Sequence, residues 1–554
     1  MPPSLAPASD RAPAGPLGPR PEPAWRKQAA WLLVSLAYLF AFPYFERINN
    51  PNENARVWAT RAVVEHGVLN IDQVQAEWGY VNDKAKNDKH VYSGKAPGAS
   101  FLGVPVLAAH GELRHLAGMS PPGKREATFW LRLFAVKVPL CVFLWFFSRY
   151  VERVTGSAAA RDLLVVGLGL GTLLYPYGQL FVGHALAAAA AFGSYMLLAP
   201  PGRRTSQRDD GGDGRDAQDG AEGTPSTWAL VGAGFLCASC VVFEYQAVLV
   251  AAALAAYALQ RHRARALAFF AGALPPTFGL GLYHTVLFGR PWRFPFGNVE
   301  NPEFLKRDHS AGFHGLALPK LSAFTSFLFS TDYGLFVFSP LLALGVIATA
   351  LLIARGARRD GLLIAGIAAL MFVFLAGMSN FRAGWCVGPR YITTVAPFLV
   401  FAIARAWPLT RGWRWWSALV AGLVVPSVLL NVVSGAVYPH YPEVFDNPVF
   451  DLTFPLLGQG YAPYGLGWLL GLRGLPSLAP LGVVVIATLG MGLGGDDPRP
   501  ARWASHVGVA LLIAVAFLAP LSATGRRPRP AEEAAAAFVR ATWEPVRPPA
   551  AARQ

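Results

Sequence analysis

Residues 26–67 read RKQAAWLLVSLAYLFAFPYFERINNPNENARVWATRAVVEHG, and the change of pattern inside this stretch decides the fold. Ala29–Phe45 is an uninterrupted apolar run, and a bilayer-spanning helix needs about 17–25 such residues. Arg26 and Lys27 stand immediately before it, which places the N-terminus on the cytoplasmic side. No small-residue cleavage site follows the basic pair, so the run reads as a retained first helix and not as a removed signal peptide. After Phe45 the pattern turns polar. Asn50-Pro51-Asn52-Glu53 is a helix start, with Asn50 as cap, Pro51 at the first helical position and an acid three residues after the cap. Ala55, Trp58, Ala59 and Ala62 recur on one face, and Gly67 supplies the stop. The expectation is an amphipathic helix over 51–66 lying on the outer membrane surface, with Glu53 and Arg56 on its N-terminal face.

The rest of the chain repeats the apolar theme. Of 554 residues, 53% are hydrophobic and 15% charged, where a soluble protein carries about 25% charged. The formal net charge is +15, but the basic residues cluster at the ends of apolar runs, so the charge marks topology and no nucleic-acid surface. Cys141, Cys237 and Cys240 lie in apolar stretches and Cys386 in a short connection. The Cys237-x-x-Cys240 pair has no second half and reads as packing, with no disulfide framework.

Further spans are expected over about 128–148, 162–177, 184–198, 266–288, 333–354, 362–378, 391–406, 416–433, 478–493 and 504–521. The stretch 228–259 is basic at both ends and broken at Glu244-Tyr245-Gln246, so it enters and returns with Glu244 at the extracytoplasmic tip. Arginines at 149, 203, 261, 355, 405 and 499 mark the inner connections. The fold class is thus an all-α polytopic membrane protein of about thirteen transmembrane helices. Residues 1–25 read as a disordered cytoplasmic leader and 26–522 as the membrane domain. Residues 46–127 form a large first extracytoplasmic loop, 201–227 a disordered cytoplasmic loop, and 523–554 a disordered outer tail. No inverted repeat is visible, which weighs against a secondary transporter.

Chemistry is expected in the first loop, since loops carry function on a helical scaffold. Glu53 is the candidate carboxylate, and its capping role is compatible with that, because a capped acid is held in place. Lys95, in the turn Tyr92-Ser93-Gly94-Lys95-Ala96-Pro97-Gly98, sits at headgroup depth and suits a phosphate, the alternative being an interfacial snorkelling lysine. Lys84, Lys86 and Lys89 read as solvated charge, and Lys137, inside the second span, as snorkelling.

Taken in order, NENARVWATRAVVEHG (52–67) and VYSGKAPG (91–98) resemble the first external loop of the GT-C membrane glycosyltransferases, in particular bacterial aminoarabinose transferases and protein O-mannosyltransferases. Glu53 and Arg56 match the acid-x-x-Arg motif, and Lys95 with Pro97 matches the Lys-Pro turn. Phe181–Ala185, Thr331–Phe336 and Gly384–Tyr391 are similar to stretches in bacterial relatives of that superfamily. The pattern departs in carrying Asn52-Glu53 where the family often has Asp or an acidic pair, and in lacking the second proline of the turn. A Trp-Trp-Asp motif is absent, which separates the chain from oligosaccharyltransferases.

The resemblance implies a polyprenyl-phosphate sugar donor, an extracytoplasmic acceptor hydroxyl on a glycolipid, glycan or protein, and residence in the bacterial cytoplasmic membrane. It makes Glu53 the candidate base, with Asp83 and Glu244 in reserve. Lys95, Arg56 and Arg390 become the donor-phosphate ligands. His184, Tyr245, Trp385 and Tyr391 are pocket candidates, each with an ordinary structural or interfacial role as its alternative. No metal or other cofactor is required, although the outer carboxylates leave a divalent ion open. The competing readings are a lipid-linked-glycan transporter or flippase and a non-catalytic envelope scaffold.

Overall fold

Apolar runs bounded by arginine fold as helices because a lipid-facing backbone has no other way to satisfy its N–H and C=O groups. In the computed structural model these helices form a bundle with a polar layer at one end. It describes residues 25–48, 50–202, 223–309, 312, 315–355, 357–410, 413–493, 500–523 and 527–544. The expected leader 1–25, apart from Trp25, and most of the loop 201–227 lie outside the described residues.

Among the described residues, seven helices are long and apolar enough to cross a membrane: Lys124–Thr155, Tyr245–Phe288, Arg358–Gly377, Arg390–Thr410, Trp415–Val437, Leu475–Gly492 and Ala501–Ser522. The protein is a multi-pass helical membrane protein. Other apolar runs expected to span form shorter helices, including Arg26–Phe40, Ala158–Leu170, His184–Leu198, Thr227–Phe243 and Leu341–Ala354. Glycine and proline explain several of the shortenings. Gly171 ends the helix Ala158–Leu170 before a short turn of helix at Leu174–Gly178, and Pro340 separates Leu335–Phe338 from Leu341–Ala354.

The stretch around Glu244 folds as a helical hairpin. Helix Thr227–Phe243 ends at Glu244, whose backbone is extended (φ −149°, ψ 119°), and Val248–His262 runs back beside it. Neither glycine nor proline makes the turn; one extended residue and a single 3-10 turn at Tyr245–Ala247 suffice. Ala266–Phe288 then packs against Thr227–Phe243 at very short range. A methyl group added at Gly234 would collide with the Phe269 carbonyl, and one at Gly272 with the Val231 carbonyl. Gly234→Val is therefore expected to cost at least about 1–3 kcal/mol, the penalty of overpacking. Thermal unfolding of the purified protein in detergent reads the loss, with Gly366→Val, where an added Cβ meets nothing, as the control.

The span Lys124–Thr155 widens to a π-helix over Leu131–Lys137. Pro139 has no N–H to return to the preceding turn, which removes one α-helical bond from this ladder. The wide turn carries Arg132 and Lys137, both buried. Lys137 does not snorkel: its Nζ donates to the Ala41 carbonyl at 2.5 Å. The correction follows from geometry, since Ala41 has left the first helix and its carbonyl accepts from a side chain instead.

The polar layer carries two short antiparallel pairings, one between segments far apart in sequence and one a local hairpin. Ala41–Phe42 pairs antiparallel with Tyr464–Gly465, and Lys84–Lys86 with Val91–Ser93. The C-terminal tail is not disordered where it is described. Pro530–Thr542 is a helix, with the Glu532 side chain accepting from the Arg529 N–H. Val539 and Trp543 are fully buried, the latter against Phe45, Tyr438 and Tyr461. Its Pro/Ala/Arg composition hides an i, i+4 apolar pair that needs a distant partner to show itself.

Candidate active site

The helix Pro51–His66 forms with the bounds that its caps dictate. Asn50 Oδ1 accepts from the Asn52 and Glu53 N–H groups, and Gly67, at φ 65°, bonds back to Ala62 and Val63. Ala55, Trp58, Ala59 and Ala62 are buried, but so are Asn52, Glu53, Arg56 and Thr60. The helix is more deeply enclosed than one resting on a membrane surface, and its buried charges must find partners.

Glu53 finds Arg132. Arg132 Nε and Nη2 reach the two carboxylate oxygens at 2.7 and 2.6 Å, a bidentate pair. The Phe181 N–H adds a third bond to Oε1 at 2.7 Å, while Arg132 Nη1 donates to the Pro43 carbonyl at 3.0 Å. Burial pushes the Glu53 carboxyl up, but the Arg132 charge and its hydrogen bonds, with the Phe181 amide, outweigh it and hold the group below the usual carboxylate range. Glu53 is thus a fixed, ionised carboxylate.

Beside it, a narrow cleft is bordered by Tyr44, Asn50, Glu53, Trp58, Lys124 and His440, among others. His440 Nδ1 lies 3.1 Å from Asn50 Nδ2. Burial lowers the His440 pKa to about 4, Glu53 pulling it up and Arg132 pushing it down. The unfolded imidazole takes its proton near pH 6.5, so below that pH the unfolded state binds more protons than the folded one. The His440 contribution to stability is therefore present above pH 6.5 and lost progressively down to about pH 4. His440→Gln should flatten this part of the unfolding-versus-pH curve.

A second cluster lies on the other side of the 181–184 segment. Arg56, fully buried, donates from Nη2 to Glu244 Oε1 at 2.7 Å and from Nη1 to the Asn52 carbonyl and side chain. His184 Nδ1 lies 3.5 Å from the same Glu244 oxygen. Lys95 Nζ is 2.6 Å from Asp83 Oδ2. That pair follows from the hairpin register: Lys84 faces Ser93, so the residues just outside, Asp83 and Gly94-Lys95, meet, with the Gly94 N–H bonded to the Asp83 carbonyl. Burial raises the Asp83 pKa, but Lys95, then Arg390 and Arg56, carry it below the usual value. The Arg390 guanidinium lies 5.4 Å from the Tyr391 ring centroid, and the Tyr391 and His184 rings are 5.9 Å apart. Among the described residues, the buried Arg56 Nε, Arg390 Nε and His184 Nε2 have no hydrogen-bond partner.

The structure thus gathers Arg56, Lys95, Arg390, Asp83, Glu244, His184 and Tyr391, with Glu53 one short peptide segment away. Tyr245, beside Glu244, is turned to His284, its hydroxyl 2.9 Å from Nε2. Trp385 is not brought in; it is 42% exposed and packs on Phe538 of the tail helix. Lys84 is not solvated but buried, bonded to Gln75 Oε1 at 2.9 Å and held over the Tyr80 ring, because the 295–301 segment covers its hairpin. Sequence reasoning missed Arg132 and His440. The signal for Arg132 was present: a charge four residues inside an apolar run needs a partner.

Glu65, His66 and Glu77 bring potential ligand atoms within 4.8 Å of one another. Arg61 pairs with both carboxylates there, which makes the group an ion-pair network. No such grouping involves Glu53, Asp83 or Glu244 among the described residues.

No family model matches the sequence, and no curated protein matches it. Among solved structures the chain is similar to ArnT from Cupriavidus metallidurans bound to undecaprenyl phosphate, at 16% identity and a TM-score of 0.39 over 91% of this chain and 80% of that one. The apo state of ArnT gives 15% and 0.40, over 90% and 76% of the two chains. A third similar structure is the arabinosyltransferase EmbB from Mycobacterium smegmatis, at 11% identity and a TM-score of 0.40, over 93% of this chain but 42% of that one.

Proposed function

We propose that the protein transfers a sugar from a polyprenyl-phosphate-linked donor to an acceptor hydroxyl, at the loop end of the bundle and on the extracytoplasmic face. One observation carries this reading. Lys95, Arg56 and Arg390 converge at one helix-bundle end, and the two arginines keep buried Nε donors without protein partners. Such a cluster suits a phosphate that gains charge as it leaves. In the reaction the bond from the sugar C1 to the phosphate oxygen breaks and a bond from C1 to the acceptor oxygen forms. The polyprenyl phosphate departs with its negative charge against Lys95, Arg56 and Arg390. Glu53, held ionised by Arg132, takes the hydroxyl proton. Between turnovers Asp83 takes the anion's part against Lys95. A flippase would need cations along both leaflets, whereas these stand together at one end.

Mass spectrometry of envelope glycolipids and glycoproteins, in cells with and without the gene, tests the proposal. A sugar that disappears and returns with the wild-type gene but not with Lys95→Met is the expected result. Unchanged glycans across all strains, with the protein present at normal levels, would overturn it.

A further inference from the structure

Trp385 stands apart from the cationic cluster, yet an unfavourable backbone holds it out. Ala383, two residues earlier, has φ 60°, and Gly384 follows at φ 83°. The left-handed region is disfavoured for a residue with a side chain and persists only where the surroundings impose it. Here the Ala383 N–H is held by the Asn380 carbonyl and side chain, and the residue between them, Arg382, is tied to Asp332. A Cβ on Gly384 would meet nothing, so the space beside this turn is open. The indole is 42% exposed and meets Phe538 of the tail helix, itself 46% exposed, with ring centroids 6.0 Å apart at 83°. In that edge-to-face arrangement the ring that offers its edge keeps both faces clear of the other. Single exposed apolar residues are ordinary. Two large rings brought together from segments far apart in sequence, and left half in solvent, are not.

The pair lies in the polar layer. The helix that carries Phe538 is fastened there at both ends, Arg529 to Asp446 and the Val444 carbonyl, and Glu544 to the Glu46 and Arg47 N–H groups. That setting favours an aqueous, polar ligand over the hydrocarbon of a bilayer. The face of an aromatic ring carries the negative part of its quadrupole, and the C–H bonds on one side of a sugar ring present a weakly positive, apolar patch ringed by hydroxyls. Trp385 also lies five residues before Arg390 on the same connection, hence within about 18 Å of it by chain length. A saccharide of a few units bound at the rings therefore reaches the cationic cluster.

We propose that Trp385 and Phe538 form a carbohydrate-binding platform at the rim of the site, and that it holds a glycan acceptor by a ring some units away from the reacting hydroxyl. The word acceptor rests on the transferase reading, while carbohydrate binding itself is tested without turnover. Saturation-transfer NMR on the full chain in lipid nanodiscs uses maltotriose, cellotriose, mannotriose, arabinotriose and chitotriose as probes, one at a time. With at least one of them the wild type should give ring C–H signals. Those signals should fall about two- to tenfold in Trp385→Ala and in Phe538→Ala, the loss of one aromatic contact, and persist in Trp385→Tyr, which keeps an aromatic face. Phe538→Ala decides the matter if Trp385→Ala fails to fold. Trp385→Cys should react with a membrane-impermeant maleimide in the same nanodiscs; an unreactive thiol would place this position under lipid or a second copy and overturn the platform. No signal with any trisaccharide, or equal signal in wild type, Trp385→Ala and Phe538→Ala, would overturn it too. Lys95→Met separates the two readings, since it should keep the trisaccharide signal while losing transfer. A Trp385-dependent signal alongside undiminished transfer in Lys95→Met would retain the platform and remove the donor-phosphate reading.

Discussion

Lys95→Met should lower sugar transfer by about 100- to 1,000-fold, the scale set by removing one charge-stabilising donor from an active site, while the protein remains folded. The two halves of that expectation have separate physical grounds. Lys95 is less buried than Arg56, and its contact with Asp83 is a partly exposed pair, of a kind worth about 0–1 kcal/mol. Its removal also leaves Asp83 within the fields of Arg390 and Arg56, so no buried carboxylate is stranded. A phosphate in this place would lose its compact point charge, and the Arg56 guanidinium is not free to replace it, being tied to Glu244 and Asn52. Turnover in proteoliposomes with a polyprenyl-phosphate sugar, measured beside thermal unfolding, checks both halves. Full turnover at normal stability would take Lys95 out of the site.

Arg132→Ala should act in the opposite sense, on the fold first. It leaves the Glu53 carboxylate buried with one amide hydrogen bond and no counter-charge, and breaking a buried pair in this way costs about 3–5 kcal/mol. Against a total stability of about 5–15 kcal/mol the loss should appear as a large fall in melting temperature and in yield. Glu53→Gln strands Arg132 in the same manner, so its loss of transfer, about 100- to 10,000-fold for a missing general base, is interpretable only beside the double change Arg132→Met with Glu53→Leu. The double variant should recover much of the stability and none of the transfer. Should Arg132→Ala melt like the wild type, the pair is not what holds Glu53 in place.

What the sequence made legible was local. The caps at Asn50 and Gly67 define a helix that the structure reproduces over Pro51–His66, because both signals act within one turn of their targets. The basic ends of 228–259 called for a return at Glu244, and the hairpin turns there. The gathering of Lys95, Arg56 and Arg390 was reachable through topology, since all three lie near ends of apolar runs expected on one side. What stayed hidden was pairing across distance. Arg132 is 79 residues from Glu53, and the π-helical turn that carries it has no sequence signature beyond Pro139. His440 faces Asn50 from 390 residues away. Trp543 sits in a segment whose composition alone suggests no structure, and only the Phe45, Tyr438 and Tyr461 rings give it a place.

The short segment Phe181–His184 touches both halves of the site: its first amide is bonded to Glu53, and its last residue faces Glu244, the partner of Arg56. Gly183 lies so close to the Phe243 carbonyl and the Glu244 side chain that no larger residue fits between them. A ligand that drew Arg56 away from Glu244 would act beside a segment whose first amide also helps to hold Glu53. Thermodynamic linkage makes such an effect reciprocal: by whatever factor the occupant of one half changes affinity in the other, the second occupant changes affinity for the first by the same factor. Occupants of the two halves would then report on each other through one short peptide segment.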